Sequence, residues 1–232
     1  MDQPYLGDDI TRSGAISVSS RSEFIARTYT HLLGAIAFFL AIEVWLFRSG
    51  AAETIARAML GTSWLVVLGG FMIISWLASS AASTSMSKPA QYAALGAYVF
   101  AQAIIFVPLL YIANHVAPGA IQSAGLLTAL GFGGLTAVAF VSRTDFSFLG
   151  ALLKWAFIVA LLAIVGSLLF GFQLGTWFSV AMVGLAGVAI LRDTSNILLH
   201  FPDDRYVAAS MQLFASVALM FWYLIRLFMD RR

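Results

Sequence analysis

The chemistry open to this chain rests on a few polar side chains set in long apolar stretches. The foremost is Asp193, inside Ala189-Ile-Leu-Arg-Asp-Thr-Ser-Asn-Ile-Leu198. A carboxylate at membrane depth is costly unless it is paired, protonated or hydrated. On a helix Asp193 and Asn196 share a face, so Asp193 is expected to point into a protein interior or a water-filled cavity. The alternative is a residue that only caps or anchors a helix end. Gln212 and Ser216, four apart, share a face of another apolar segment, as do Arg27 and His31 near the start of the chain. Lys154 is the single charge of a further segment. At similar depth these residues would form a cluster able to sense protons or cations, because neighbouring charge and burial decide whether a carboxylate holds its proton. The plainer reading is a set of interhelical hydrogen bonds, each contributing roughly 1 kcal/mol.

Other chemistries lack their residues. There is no cysteine, which removes disulfides, thiolate metal sites and cysteine nucleophiles. His31 is the only histidine within an apolar segment, with His115 and His200 at loop edges, and no histidine pair has metal-ligand spacing. An intramembrane aspartyl protease needs two membrane aspartates, and only Asp193 qualifies. Gly166-Ser167 lacks a nucleophile motif, and no glycine-rich phosphate loop precedes a lysine and hydroxyl residue. A non-enzymatic protein without cofactor or metal is expected.

The elements that must carry these side chains are seven apolar segments, each near the roughly 20 residues that cross a bilayer. They run about 24–47, 63–83, 90–113, 121–141, 148–170, 176–199 and 205–228, with the third interrupted by Pro108 and the second free of charge. The joining stretches are short, which favours antiparallel neighbours in one bundle. Small residues four apart, Gly133 with Ala137 and Thr30 with Gly34, mark expected helix contacts, and Gly184 with Gly187 gives the sixth segment a smooth face. Trp45, Trp64, Trp155, Trp177 and Trp222 lie toward segment ends, as an interfacial belt requires, and Trp76 lies deeper. The tryptophans are expected to act as anchors or packing, not as a ligand box.

Composition agrees. The chain is 61% hydrophobic and 10% charged, against about 25% charged in soluble domains. The expected fold is all-α: a polytopic membrane protein built as a seven-transmembrane-helix bundle over residues 23–229, behind a polar cytoplasmic tail, 1–22. That tail is expected to be disordered or surface-lying, and the first helix to direct insertion without a cleaved signal. A net charge of +2 gives no reason to expect nucleic acid. With the N-terminus inside, Arg12, Arg21, Arg27, Lys88, Arg143, Lys154, Arg192 and Arg205 lie on the cytoplasmic side. Arg48, Arg57, Arg226, Arg231 and Arg232 lie outside, so the 13 basic residues divide eight to five. That bias predicts a cytoplasmic N-terminus and an outside, periplasmic C-terminus in a cell inner membrane.

Four stretches carry a family likeness. Arg192-Asp-Thr-Ser-Asn-Ile197, followed by Tyr206-Val-Ala-Ala-Ser-Met-Gln-Leu-Phe214, resembles the last two helices of the Bax inhibitor family. Arg27-Thr-Tyr-Thr-His31 and Arg143-Thr-Asp-Phe-Ser-Phe-Leu-Gly150 fit the same family in order and position. The nearest likeness is to its bacterial YccA-like branch. The resemblance implies a seven-helix bundle and one of two roles. YccA-like proteins look like modulators of a membrane-anchored AAA protease of the FtsH type, which would grip residues 1–22. The wider family implies a pH-sensitive leak for calcium or protons around Asp193. In leak-type members a second aspartate on the last helix faces the one matching Asp193, with an arginine of the second helix between them. Here Ser216 stands at the second position and the second segment has no charge. One carboxylate is poor provision for calcium, which takes about 6–8 oxygen ligands. Lys154, in place of the missing arginine, or Arg27 is the expected partner of Asp193.

Overall fold

The computed structural model describes residues 6–84 and 87–230, with side chains from Ser20 onward. Its helices are α1 (Leu6–Arg48), α2 (Ala51–Leu60), α3 (Trp64–Thr84), α4 (Lys88–Val116), α5 (Ala120–Ser142), α6 (Leu149–Phe170), α7 (Gly175–Leu199) and α8 (Tyr206–Asp230). Seven of them are long and apolar enough to cross a bilayer, the first over Ser20–Arg48. The architecture is therefore the expected all-α, multi-pass membrane bundle, and no strand occurs among the described residues.

Two local departures have clear physical causes. The polar stretch from Leu6 is helical and runs without a break into the first span, where a disordered or surface-lying tail was expected; residues 1–5 lie outside the described residues. Once α1 is nucleated by its packed apolar half, each further residue adds a backbone hydrogen bond. Pro108, expected to interrupt its segment, lies buried inside a continuous α4. A proline can be carried in a membrane helix because neighbouring helices and local adjustment satisfy the freed carbonyl.

Turns fall where the backbone allows them. Gly50 (φ 79°) and Gly119 (φ 87°) hold the left-handed conformation before α2 and α5, which costs glycine nothing. Between them α2 is a short extra helix, fixed by Ala52 and Ala56 against Leu46 and Val107.

The core is built on α4 and α8. Both bury residues along most of their length, from Gln91 to Ala113 in α4 and from Tyr206 to Ile225 in α8. Phe106 of α4 stands at the centre, edge-on to Phe39 at 5.2 Å and to Trp222 at 5.0 Å, and stacked on Phe221 at 5.7 Å. Helices α1, α3, α5 and α7 surround this pair. Helix α6 stands apart: it buries only Leu153 and Ala160, and it packs on α7 and α3. A crevice is left between α6 and the α4–α8 core.

Of the glycines expected at helix contacts, Gly187 meets a neighbour closely and the others do not, while Gly131 was not anticipated. A Cβ on Gly34, Gly133 or Gly184 would meet nothing within 4 Å. At Gly131 it would lie 3.2 Å from Met220 Sδ, and at Gly187 3.3 Å from Leu135 Cδ1 and 3.7 Å from Met220 Cε. Met220 of α8 thus seats between α5 and α7 where both lack a side chain. Four-residue spacing identifies a smooth face but not whether a neighbour faces it.

The tryptophans divide. Trp45, Trp76, Trp155 and Trp177 are exposed on the outer, lipid-facing surface. Trp64 and Trp222 stack at 6.3 Å inside the crevice, where they pack as wall residues.

Candidate functional site

Asp193 lies on the α7 face that packs against α8, and it is 4% exposed. Its carboxylate is met by the expected pair: Gln212 Nε2 donates to Oδ1 at 2.6 Å and Ser216 Oγ donates to Oδ2 at 2.7 Å. Four-residue spacing on α8 sets the two donors one turn apart, which matches the two oxygens. The cation at Asp193 is Arg192, whose Nη1 reaches Oδ1 at 3.2 Å. Lys154, one of the two expected partners, makes neither an ion pair nor a hydrogen bond among the described residues, yet it shares the crevice wall with Asp193, Arg192, Gln212 and Ser216. Sequence reasoning missed Arg192 because adjacent helical residues do not face each other; a long flexible side chain bends back regardless. Arg192 also lies along α6 at Gly150, where a Cβ would sit 3.3 Å from its Nε.

Asn196 works through its backbone. Its carbonyl accepts the amides of His200 and Phe201, both at 2.8 Å, and so closes the end of α7.

Arg27 and His31 belong to a separate cluster. Arg27 pairs with Glu23 at 2.5 Å and lies over the Tyr206 ring at 5.6 Å. His31 Nδ1 is 2.6 Å from the Arg27 carbonyl, and its Nε2 is 3.1 Å from the Tyr92 hydroxyl. That hydroxyl is 3.2 Å from the Tyr206 hydroxyl, and Lys88 Nζ covers the Tyr206 ring at 4.3 Å. The expected single cluster is therefore two, one between α7 and α8 and one joining α1, α4 and α8. Depth along a helix fixes height in the bundle but not direction around it.

Two further features were not read from sequence. Glu43 of α1 is 6% exposed, and neither of its oxygens has a hydrogen-bond partner. Arg21 reaches the far end of α7: Nη2 donates to the Ile197 carbonyl at 2.6 Å, Nε to Leu198 at 3.3 Å and Nη1 to Phe201 at 2.5 Å. Arg21 also pairs with Asp203.

The α5–α6 loop is tied to the same end of α7. Ser195 Oγ accepts the Phe146 amide at 3.0 Å and donates to the Thr144 carbonyl at 3.0 Å. His200 Nε2 lies 3.4 Å from Asp145 Oδ2. The backbone N–H of Ser147, donating to Oδ1 at 2.9 Å, holds the exposed Asp145 carboxyl below the usual carboxylate range. The Ser147 side chain adds to this, and His200 contributes less. A carboxyl with a lowered pKa stabilises the fold when ionised, so the tie is present above the ordinary carboxylate pKa and is lost as pH falls through the lowered value. Hydrogen exchange at the loop amides is expected to quicken below about pH 4, beyond the intrinsic rate. Asp145→Asn should remove most of that step.

The crevice joins these parts. It has a volume of about 1070 Å³ and runs beside α6, with Lys154, Arg192 and Asp193 at one end and Arg226 and Asp230 at the other. Its polar lining between these ends includes Tyr98 and Gln102 of α4, and Gln102 Oε1 is buried without a hydrogen-bond partner. The Asp193 carboxylate thus stands at one end of a partly polar crevice that runs along the bundle.

Residues 21–232 match the family model described as Bax1-I, inhibitor of apoptosis-promoting Bax1. A stretch of 111 residues is 36% identical to an uncharacterized protein of Pseudomonas aeruginosa, PA2604, covering 47% of this chain and 49% of that protein. The chain spans about half the length of the curated relative it matches.

Proposed function

The chain belongs to the Bax inhibitor family, and from that premise we propose that it is a non-enzymatic, proton-responsive membrane protein in which Asp193 takes up and releases a proton at the crevice. The observation that carries this is the crevice itself, which reaches from Asp193 to Arg226 and Asp230 beside the loosely packed α6. A buried ionisable residue in a membrane segment that faces a cavity is a candidate functional residue by default. Protons suit the site better than calcium. One carboxylate faces two cations at that end of the crevice, and among the described residues no group of three or more acidic or histidine side chains is placed to hold a metal ion. Liposomes containing the protein and a trapped pH-sensitive dye are expected to dissipate an imposed pH gradient faster than empty liposomes. Equal rates across the pH range would sink the reading.

The family resemblance supports a second role, as a modulator of membrane protein quality control through an FtsH-type AAA protease acting on residues 1–22. It requires that segment on the cytoplasmic side of an inner membrane, the orientation favoured by the distribution of basic residues. Deleting 1–19, which keeps Arg21, would lengthen the protein's lifetime in cells holding the protease. Unchanged turnover and an unchanged protease contact would remove the second role.

A further inference from the structure

The crevice has a second character that proton transfer does not use. Its walls are mostly apolar: Phe157, Leu161 and Ile164 of α6, Leu219 and Trp222 of α8, and Leu68 of α3. One end is basic. Lys154 is exposed and, among the described residues, makes no hydrogen bond or ion pair, while Arg192 keeps a buried Nε with no hydrogen-bond partner. The single carboxylate there, Asp193, already accepts from Gln212, Ser216 and Arg192. The end therefore holds uncompensated positive charge at the head of a hydrocarbon-lined slot.

Its depth is also suited to a lipid. Helix α6 has 22 residues, about 33 Å at 1.5 Å per residue, close to the roughly 30 Å hydrocarbon thickness. Lys154 lies in the second turn of α6, from which a lysine stem reaches the headgroup level. Guanidinium and ammonium groups together suit a phosphate, the first by its donor fork and the second as a point charge.

We propose that the slot between α6 and α8 binds an anionic phospholipid of the surrounding bilayer, with its phosphate at Lys154 and Arg192 and one acyl chain along the apolar walls. The chain would displace water from the slot, so bound lipid would oppose proton passage. Binding itself does not depend on any flux, and the two readings are separately testable.

The test is a titration of the full chain in a neutral detergent, read by thermal unfolding. Phosphatidylglycerol, phosphatidylethanolamine and oleate are added in turn to the protein and to Lys154→Gln. Phosphatidylglycerol is expected to give a saturable rise in unfolding temperature, at lower concentration than phosphatidylethanolamine. Lys154→Gln is expected to weaken the phosphatidylglycerol response about fivefold, the effect of one basic residue at an anionic lipid surface, with the lipid-free unfolding temperature unchanged. Equal responses to the two phospholipids, or no effect of Lys154→Gln, overturns the headgroup assignment. Tighter, Lys154-dependent binding of oleate overturns the phospholipid in favour of a free fatty acid. A second variant, Ala215→Phe, narrows the slot without touching a charge. It is expected to weaken phosphatidylglycerol binding too, and unchanged binding places the chain elsewhere and contradicts the proposal.

Discussion

Replacing Asp193 by alanine is expected to destabilise the bundle by about 3 kcal/mol in detergent, because it removes one side of a buried, charge-assisted network. The carboxylate accepts from Gln212 at 2.6 Å, from Ser216 at 2.7 Å and from Arg192 at 3.2 Å. Alanine leaves the Gln212 amide facing a cavity between α7 and α8. Arg192, whose side chain is 30% exposed, can turn toward water, which limits the loss. Asp193→Asn should cost only about 1 kcal/mol. Its carboxamide oxygen can still accept from Gln212, and its NH2 can donate to a Ser216 hydroxyl that rotates to accept. Lys154→Met should be nearly neutral, since Lys154 does not pair with Asp193. Combining Asp193→Ala with Ser216→Ala should cost less than the sum of the two, because they share one hydrogen bond. A full-sized effect of Lys154→Met on stability would show that the ion pair lies on α6 instead.

Arg21→Ala carries the other large effect, about 2–3 kcal/mol. The last carbonyls of a helix have no partner within it, and cationic side chains near that end satisfy them and complement the dipole. Arg21 caps the Ile197 and Leu198 carbonyls of α7 and the Phe201 carbonyl beyond it, and it pairs with Asp203. Phe24, one turn later on α1, stacks on Phe201 at 6.2 Å. These contacts fasten α1 to the α7–α8 connection just beyond Asp193. The loss should appear first as faster hydrogen exchange at the His200 and Phe201 amides. Arg21→Lys should recover only part of it, because an ammonium cannot fork to several carbonyls. Unchanged exchange at those amides would mean that the Phe24 stack alone holds the connection.

The bundle was legible because membrane spans declare themselves by length and hydropathy, each segment separately. Helix α2 was not, although Gly50, Gly61 and the Glu53–Arg57 spacing bracket a short amphipathic helix; its ten residues are too few to span and carry no hydropathy signal of their own. At the site, Gln212 and Ser216 were found because their four-residue spacing and the family likeness pointed at Asp193 together. Lys154, Arg27 and His31 were grouped with Asp193 by height alone. Height does not say which way a side chain points, and Arg27 and His31 face Tyr92 and Tyr206 instead. Arg21 was hidden by its setting in a polar stretch. Its partners are backbone carbonyls some 176–180 residues away, and a carbonyl carries no mark in a sequence.

The most direct measurement compares proton flux through liposomes holding the protein or Asp193→Asn, with matched amounts of folded protein and pH gradients imposed in both directions. Asparagine keeps the hydrogen-bond geometry and the fold but cannot exchange a proton near neutral pH. The expected result is flux above empty liposomes for the protein and the empty-liposome rate for Asp193→Asn. Flux through Asp193→Asn equal to that of the unaltered protein would contradict the assignment of Asp193 as the proton-carrying group.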